Sequence, residues 1–225
     1  MSASLRLEGL RAGYGAVEVL HGIDLEVPAQ GITALLGRNG AGKTTLLSTV
    51  AGLVPVRSGR ILWSGQDITG WSVRDRAQAG VLLVPERRGI FRDLTVHENL
   101  EVFAPGQQEQ DRLPEVLSTF PQLADRGEQQ AGSLSGGEQQ MLAMSRVLLQ
   151  QPALVLLDEV SFGLAPQVAD RLFEVVAELA RRCTVVLVEQ FVSDALRLAD
   201  VVYVIERGAV VFAGEPNELR AAQGV

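Results

Sequence analysis

Gly37-Arg38-Asn39-Gly40-Ala41-Gly42-Lys43-Thr44 carries the spacing G-x-x-x-x-G-K-[ST] of a P-loop. It follows the apolar run Ile32 to Leu36, short enough for a buried strand. It opens the segment Lys43 to Leu53, where Leu46, Leu47, Val50 and Leu53 recur at helical spacing. Strand, glycine-rich loop and helix, in that order, make a phosphate cradle. Glycines let consecutive backbone N–H groups converge on phosphate oxygens, and a helix N-terminus adds about half a positive charge at the same point. Lys43 supplies a full charge for the β- and γ-phosphates, and the Thr44 hydroxyl supplies a ligand for Mg²⁺. The expected nucleotide contacts are therefore Gly37, Arg38, Asn39, Gly40, Ala41, Gly42, Lys43, Thr44 and the adjoining Thr45. An ordinary glycine-rich turn would need neither the lysine nor the flanking elements.

A second apolar run, Leu154-Val155-Leu156-Leu157, ends in Asp158-Glu159. Such a strand end lies at the carboxyl edge of an α/β sheet, where ligands bind. Alone, two acids at a strand end are as often a solvated turn. Downstream of a P-loop they read as a Mg²⁺ site at Asp158, acting through the water shell, and a base at Glu159 that orients or deprotonates the attacking water.

The remaining pattern is that of one α/β unit. The first 30 residues read as short strands, with Ile23, Leu25 and Val27 alternating against Asp24 and Glu26. Gly13-Tyr14-Gly15 marks a turn, and Gly59 to Trp63 a further strand. Pro85 to Gly132 is richer in charge and glutamine and reads as short helices, one starting at the capping-box spacing Thr95 to Glu98. A long helix follows over Gly136 to Gln150, with Met141, Leu142, Ser145 and Leu148 on one face. Another covers Gln167 to Arg182. Thr184 to Val188 and Val201 to Ile205 are strands, and Glu206 to Ala209 turns into Val210 to Phe212. Strands alternating with helices predict a mostly parallel sheet covered on both faces.

Composition sets the outer limits. The chain has 225 residues, 47% hydrophobic and 21% charged, which excludes bulk disorder. Its net charge of −7 argues against broad nucleic-acid binding, which needs a basic face. The single cysteine, Cys183, allows no intrachain disulfide and no multi-cysteine zinc site, and it reads as an inert core residue in a reducing compartment. The longest stretch free of charge, Thr44 to Val56, is 13 residues, short of the ~20 that span a membrane. The N-terminus lacks the apolar core of a signal peptide. His21 and His97 read as surface or packing residues. Arg87 and Arg88 read either as a solvated pair or as a partner contact.

Leu134-Ser135-Gly136-Gly137-Glu138-Gln139-Gln140 narrows the family. Ser135 and Glu138 have capping-box spacing, and a capped helix start with two glycines is also an anion site. With this segment in place the chain resembles the ATP-binding cassette (ABC) ATPases over nearly its whole length. The resemblance implies that Ser135, Gly136, Gly137 and Glu138 meet the γ-phosphate of ATP held by a second cassette. It places Tyr14 against adenine, the alternative being a loop tyrosine packed on the sheet. It puts Glu86, in Val84-Pro85-Glu86, at the Q-loop as a further Mg²⁺ contact in place of the family's usual Gln. Ser161 to Pro166 would be the D-loop. Gln190 would stand at the catalytic switch, where most relatives carry His, and would position the phosphate. Val160 and Phe191 replace a proline and an asparagine usual in relatives.

The segments Glu86 to Leu100, Leu134 to Ala143, Ser161 to Pro166 and Leu187 to Gln190 resemble the second ATPase subunit of branched-chain amino-acid importers. Urea and short-chain amide importers share much of this pattern. The resemblance implies a P-loop ABC core over residues 1–84 and 151–225, RecA-like with an antiparallel β part, and a helical subdomain over 85–150. It implies Mg²⁺-dependent ATP hydrolysis, a second ABC ATPase subunit, membrane-spanning permease subunits, no nucleic acid, and a peripheral position on the cytoplasmic face of the membrane. A P-loop kinase or GTPase would complete its site within one chain and has no use for the 134–140 segment. A repair or translation ABC protein would carry coiled coils or two cassettes. A regulatory cassette that binds ATP and hydrolyses it poorly is kept open by Glu86 and Gln190.

Overall fold

The computed structural model describes residues 5–189 and 192–223. In chain order, β1 (Leu5–Tyr14) and β2 (Val17–Val27) form a hairpin, and β3 (Gly31–Leu36) leads through the glycine-rich loop to α1 (Lys43–Val50). β4 (Val56–Trp63), β5 (Gln66–Asp67), α2 (Val73–Gln78) and β6 (Val81–Val84) follow. Next come α3 (Val96–Phe103), α4 (Gln107–Gln110), α5 (Leu113–Thr119), α6 (Pro121–Ala124), a 3-10 turn (Ala131–Ser133) and α7 (Gly136–Gln150). The chain continues with β7 (Leu154–Asp158), α8 (Pro166–Ala180), β8 (Thr184–Val188), α9 (Val192–Leu198), β9 (Val201–Glu206), β10 (Ala209–Gly214) and α10 (Pro216–Gln223).

β2-β1-β4-β5 form an antiparallel sheet, and β10-β9-β3-β8-β7-β6 form a second sheet that is parallel except for the β9–β10 hairpin. This is the α/β arrangement expected from the sequence. β7 shows why the second sheet is apolar throughout. Val155 and Leu157 pack with α7 and α8 on one face, while Leu154 and Leu156 pack with α1 and the antiparallel sheet on the other. All four are fully buried. Each contributes roughly 1.5–3 kcal/mol by leaving water, so a polar residue at any of them would undermine the sheet.

The N-terminal strands are longer than their sequence suggests, for a reason that lies in the backbone. Leu5 and Leu7 face the core, and so do Leu10 and Ala12: the inward parity flips at a bulge around Gly9. β2 flips likewise between Leu20 and Ile23, at Gly22. Each bulge interrupts the period-2 signal, leaving only short alternating pieces legible. α1 is shorter than the periodicity predicts. Gly52, at φ +85, ends it in a Schellman motif, with Leu53 N–H donating to Ser48 O at 2.8 Å and Gly52 N–H to Thr49 O at 3.1 Å. Leu53 is left 60% exposed rather than in the core.

The Thr95–Glu98 and Ser135–Glu138 capping boxes both form. α2 has a third, Ser72 with Asp75, whose shorter acid at the last position hid it from the sequence pattern. α2, β5, β6, α9 and α10 have no counterpart in the sequence reading.

Candidate functional site: a phosphate cradle facing a carboxylate cluster

β3, β8 and β7 are adjacent parallel strands, with Leu35 beside Val188 and Val188 beside Asp158. The glycine-rich loop and Asp158-Glu159 therefore emerge from the same carboxyl edge. Within the loop, Gly37, Gly40 and Gly42 hold φ of +153°, +80° and +109°. A Cβ on Gly37 would stand 2.2 Å from Ile205 O, and one on Gly42 would stand 3.1 Å from a Leu20 methyl, whereas the Gly40 position opens on free space. Gly37 and Gly42 thus let the loop settle against β9 and β2, and Gly40 presents bare backbone outward. Gly42 is also the N-cap of α1 and offers no side-chain acceptor, so the helix start keeps its N–H groups for a ligand.

Lys43 is buried, with Nζ donating to Gly37 O at 2.7 Å and to Arg38 O at 3.3 Å. The ammonium is thus folded back over the loop it would neutralise a phosphate on. The Thr44 hydroxyl donates to Asp158 Oδ1 at 3.2 Å. Lys43, Thr44, Thr45, Asn39, Gly40, Gly42, Glu86 and Glu159 line one cleft of about 420 Å³. The structure thus brings Glu86 and Glu159 to the loop from β6 and β7.

Asp158 is 2% exposed. Burial raises its carboxyl to about 6, with repulsion from Glu159 and Glu86 adding to the rise; the Thr44 bond and the Lys43 charge pull the other way. A buried, negatively crowded carboxylate is a place where a cation is welcome. Among the described residues no three His, Cys, Asp or Glu side chains converge as a ready-made metal cage. Mg²⁺ keeps several waters, takes phosphate oxygens and asks for one or two carboxylates beside them. Thr44, Asp158 and Glu86 fit that demand.

Ser135 caps α7, accepting from Glu138 N–H at 3.3 Å while Glu138 Oε2 accepts from Ser135 N–H at 2.9 Å. Glu138 Oε1 also accepts from Arg126 Nε at 2.5 Å. The Glu138 side chain is thus occupied inside its own lobe. Gly136 and Gly137, half-buried at the helix start, leave backbone N–H groups there that could meet an anion. They line none of the clefts that hold the P-loop residues.

The family model described as ABC transporter matches residues 20–161. The chain belongs to the ABC transporter family. It is an ATP-binding cassette of a family that hydrolyses ATP to power transport. It is 44% identical, over 88% of its length and 87% of the relative's, to the high-affinity branched-chain amino acid transport ATP-binding protein BraG of Pseudomonas aeruginosa. It is 37% identical, over 96% and 93%, to the probable branched-chain amino acid transport ATP-binding protein LivF of Archaeoglobus fulgidus. The Nod factor export ATP-binding protein I of Ralstonia nicotianae is 34% identical over 96% of this chain and 68% of that protein. In fold it matches a nucleotide-free ATP-binding cassette from an ABC transporter with a TM-score of 0.86 at 24% identity, over 99% and 96% of the two chains.

Further features of the cassette emerge only in three dimensions. Tyr14 ends β1 with 54% of its surface exposed, so it is not packed on the sheet. Arg57, which no motif singles out, donates to Gly15 O at 2.6 Å and Val17 O at 3.0 Å and so fixes the turn behind Tyr14. Gly208, read only as part of a hairpin turn, braces the P-loop: its N–H donates to Ala41 O at 2.9 Å and its carbonyl accepts from His21 N–H at 2.8 Å. A Cβ there would meet Val19 O at 1.8 Å.

Arg87 is exposed, but Arg88 is not its solvated twin. Arg88 turns inward at φ +67° and donates to Gln139 Oε1 at 2.5 Å, tying the Q-loop to α7. His21 and His97 sit at the surface beside Glu18 and Glu128. Burial pushes the Cys183 thiol up to about 11, as an inert core cysteine requires. Gln190 and Phe191 lie outside the described residues. Among the described residues no helix is long and apolar enough to cross a membrane.

Proposed function

We propose that this cassette powers import of branched-chain amino acids through separate membrane-spanning subunits. The 44% identity to BraG over most of both chains carries this reading. The cassette would lie on the cytoplasmic face of the membrane, held there by those subunits, paired with a second ABC ATPase subunit and making no use of nucleic acid. Residues 1–84 and 151–225 act as the ATPase core and 85–150 as a helical subdomain.

In the proposed site, the backbone of Gly37 to Gly42 and the start of α1 hold the phosphates of ATP. Lys43 shifts from its loop carbonyls onto the β- and γ-phosphates, and Arg38, Asn39, Ala41 and Thr45 shape the same cradle. The exposed ring of Tyr14 stacks on adenine, a contact of about 1–3 kcal/mol. Thr44, Asp158 and Glu86 would hold Mg²⁺, which would offset the phosphate charge. Ser135, Gly136, Gly137 and the backbone of Glu138 close on the γ-phosphate bound by the partner cassette. Glu159 takes a proton from the attacking water as the water oxygen bonds to the γ-phosphorus and the bond to the β–γ bridging oxygen breaks; ADP leaves, and the proton passes to the released phosphate. Gln190 donates an amide N–H to the γ-phosphate and leaves the proton chemistry to Glu159.

The test is uptake in cells lacking this chain. Loss of labelled leucine and valine uptake, restored by wild type and not by Glu159→Gln, is expected. Unchanged amino-acid uptake with lost urea or amide uptake would assign the subunit to that other class of importer.

A further inference from the structure

Glu189 is 1% exposed and carries a carboxylate that no step above uses. It stands at the carboxyl end of β8, next to Val188. Its Oε2 accepts from the Ser161 hydroxyl at 2.6 Å and its Oε1 from the Ser161 backbone N–H at 3.2 Å. Ser161 is buried too, so both bonds are shielded from water. A backbone bond joins the same two segments two residues earlier, where Glu159 N–H donates to Val188 O at 2.9 Å.

Between these two cross-links the chain is in an uncomfortable geometry. Glu159 has φ +50°, a left-handed conformation that costs a non-glycine residue on the order of 1–3 kcal/mol unless its surroundings hold it. Val160 is buried but has no ring to fix its φ. Beyond Ser161 the loop opens to solvent, with Phe162 52% exposed. Ser161 is therefore the residue after Glu159 that ties this turn to the end of β8; the bonds that follow, Phe162 N–H to Glu159 O and Leu164 N–H to Ser161 O, both at 3.2 Å, stay within the loop.

We propose that Glu189 is a positioning residue for hydrolysis: by gripping Ser161 at two points, it holds the Glu159–Ser161 turn on the end of β8 and keeps the Glu159 carboxyl facing the P-loop cleft. The inference rests on the reading that Glu159 handles the attacking water. Glu189 also borders a cleft with Gly37, Arg38 and Asn39, so nucleotide affinity has to be read separately from rate.

The experiment compares full-length wild type with Glu189→Ala, Glu189→Gln, Ser161→Ala, the Ser161→Ala/Glu189→Ala double variant and Glu159→Gln. It reads single-turnover ATP hydrolysis and, by equilibrium titration, ATP affinity. Glu189→Ala should hydrolyse on the order of 10- to 100-fold more slowly, as expected of a reacting group displaced by about 1 Å, with ATP affinity within about 3-fold of wild type. Glu189→Gln should recover most of the rate, because its oxygen still accepts from Ser161 N–H and its amide can donate to the Ser161 oxygen. Ser161→Ala should lose less than Glu189→Ala, and the double variant should be no slower than Glu189→Ala alone.

A folded Glu189→Ala protein at wild-type rate, or one whose loss of rate is matched by loss of affinity, would overturn the proposal. So would strictly additive losses in the double variant. If Glu189→Ala does not fold, Ser161→Ala and Glu189→Gln decide: wild-type rate in the first, or a rate in the second as low as that of Ser161→Ala or lower, overturns it. Glu159→Gln separates the two levels. Wild-type hydrolysis by Glu159→Gln sinks the role of Glu159 itself, whereas an inactive Glu159→Gln beside an unimpaired Glu189→Ala sinks only the positioning role.

Discussion

The Thr44 hydroxyl donates to Asp158 Oδ1 at 3.2 Å across 114 residues of sequence, joining the end of the phosphate loop to the end of β7. Without nucleotide, this bond and the Lys43 charge offset only part of the cost of burying Asp158 beside Glu159 and Glu86. The ligand-free fold therefore carries an unfavourable charge at Asp158.

Asp158→Asn should stabilise the ligand-free protein while abolishing its response to Mg²⁺-ATP. The folded-state Asp158 carboxyl is raised from 3.8 to about 6. Its contribution to stability is thus intact below the unfolded value and is lost as pH rises through about 6. At pH 8 the ionised group costs the ligand-free fold on the order of 3 kcal/mol, which Asn avoids. Urea unfolding without nucleotide should show the variant ahead at pH 8, with the gap closing as pH falls from 6 to 4. A wild type as stable as the variant at pH 8 would refute the charge account.

Lys43→Ala should weaken ATP binding by about 100-fold or more, since a charge-assisted contact in a shielded site is worth about 1.5–3 kcal/mol and the proposed site gives Lys43 such contacts to two phosphates. Equilibrium titration with ATP checks this. Undiminished affinity would remove Lys43 from the site.

Ser135→Arg should block the partner's nucleotide site and leave its own P-loop able to bind. In mixtures of Ser135→Arg with Lys43→Ala chains, a mixed dimer keeps one site free of both changes. Hydrolysis is expected to reappear on mixing, in proportion to mixed dimers counted by mass. Its absence with mixed dimers present would mean that each chain works alone.

Gln190→His should keep hydrolysing but acquire a pH dependence near the ordinary histidine range, about 6 to 7, that wild type lacks. Gln190→Ala should hydrolyse on the order of 100-fold more slowly if the amide is a donor to the developing charge. The pH–rate profiles of the three proteins are the measurement, and an alanine variant as fast as wild type throughout would deny Gln190 a switch role.

Much of the site is legible in the sequence because its chemistry is local. The P-loop residues Gly37 to Thr44 are contiguous, and the role proposed for them follows from backbone geometry that glycine and a helix start impose on their own. The same holds for the Ser135–Glu138 cap of α7, formed as its spacing predicts. β7 and β8 are readable because both faces are buried, which leaves runs of apolar residues. The tertiary structure alone decided what depends on distant segments meeting. Strand order puts Leu35, Val188 and Asp158 side by side, so that Thr44 reaches Asp158 and Glu86 joins the cleft. It also assigns Gly208 to brace the loop, Arg57 to hold the turn behind Tyr14, Arg88 to face Gln139 and Glu189 to grip Ser161. A single glycine, arginine or glutamate carries no periodicity and no spacing. Its role is set by which backbone atom folding places within hydrogen-bond reach, about 3 Å, and that distance is fixed only once the sheet has assembled.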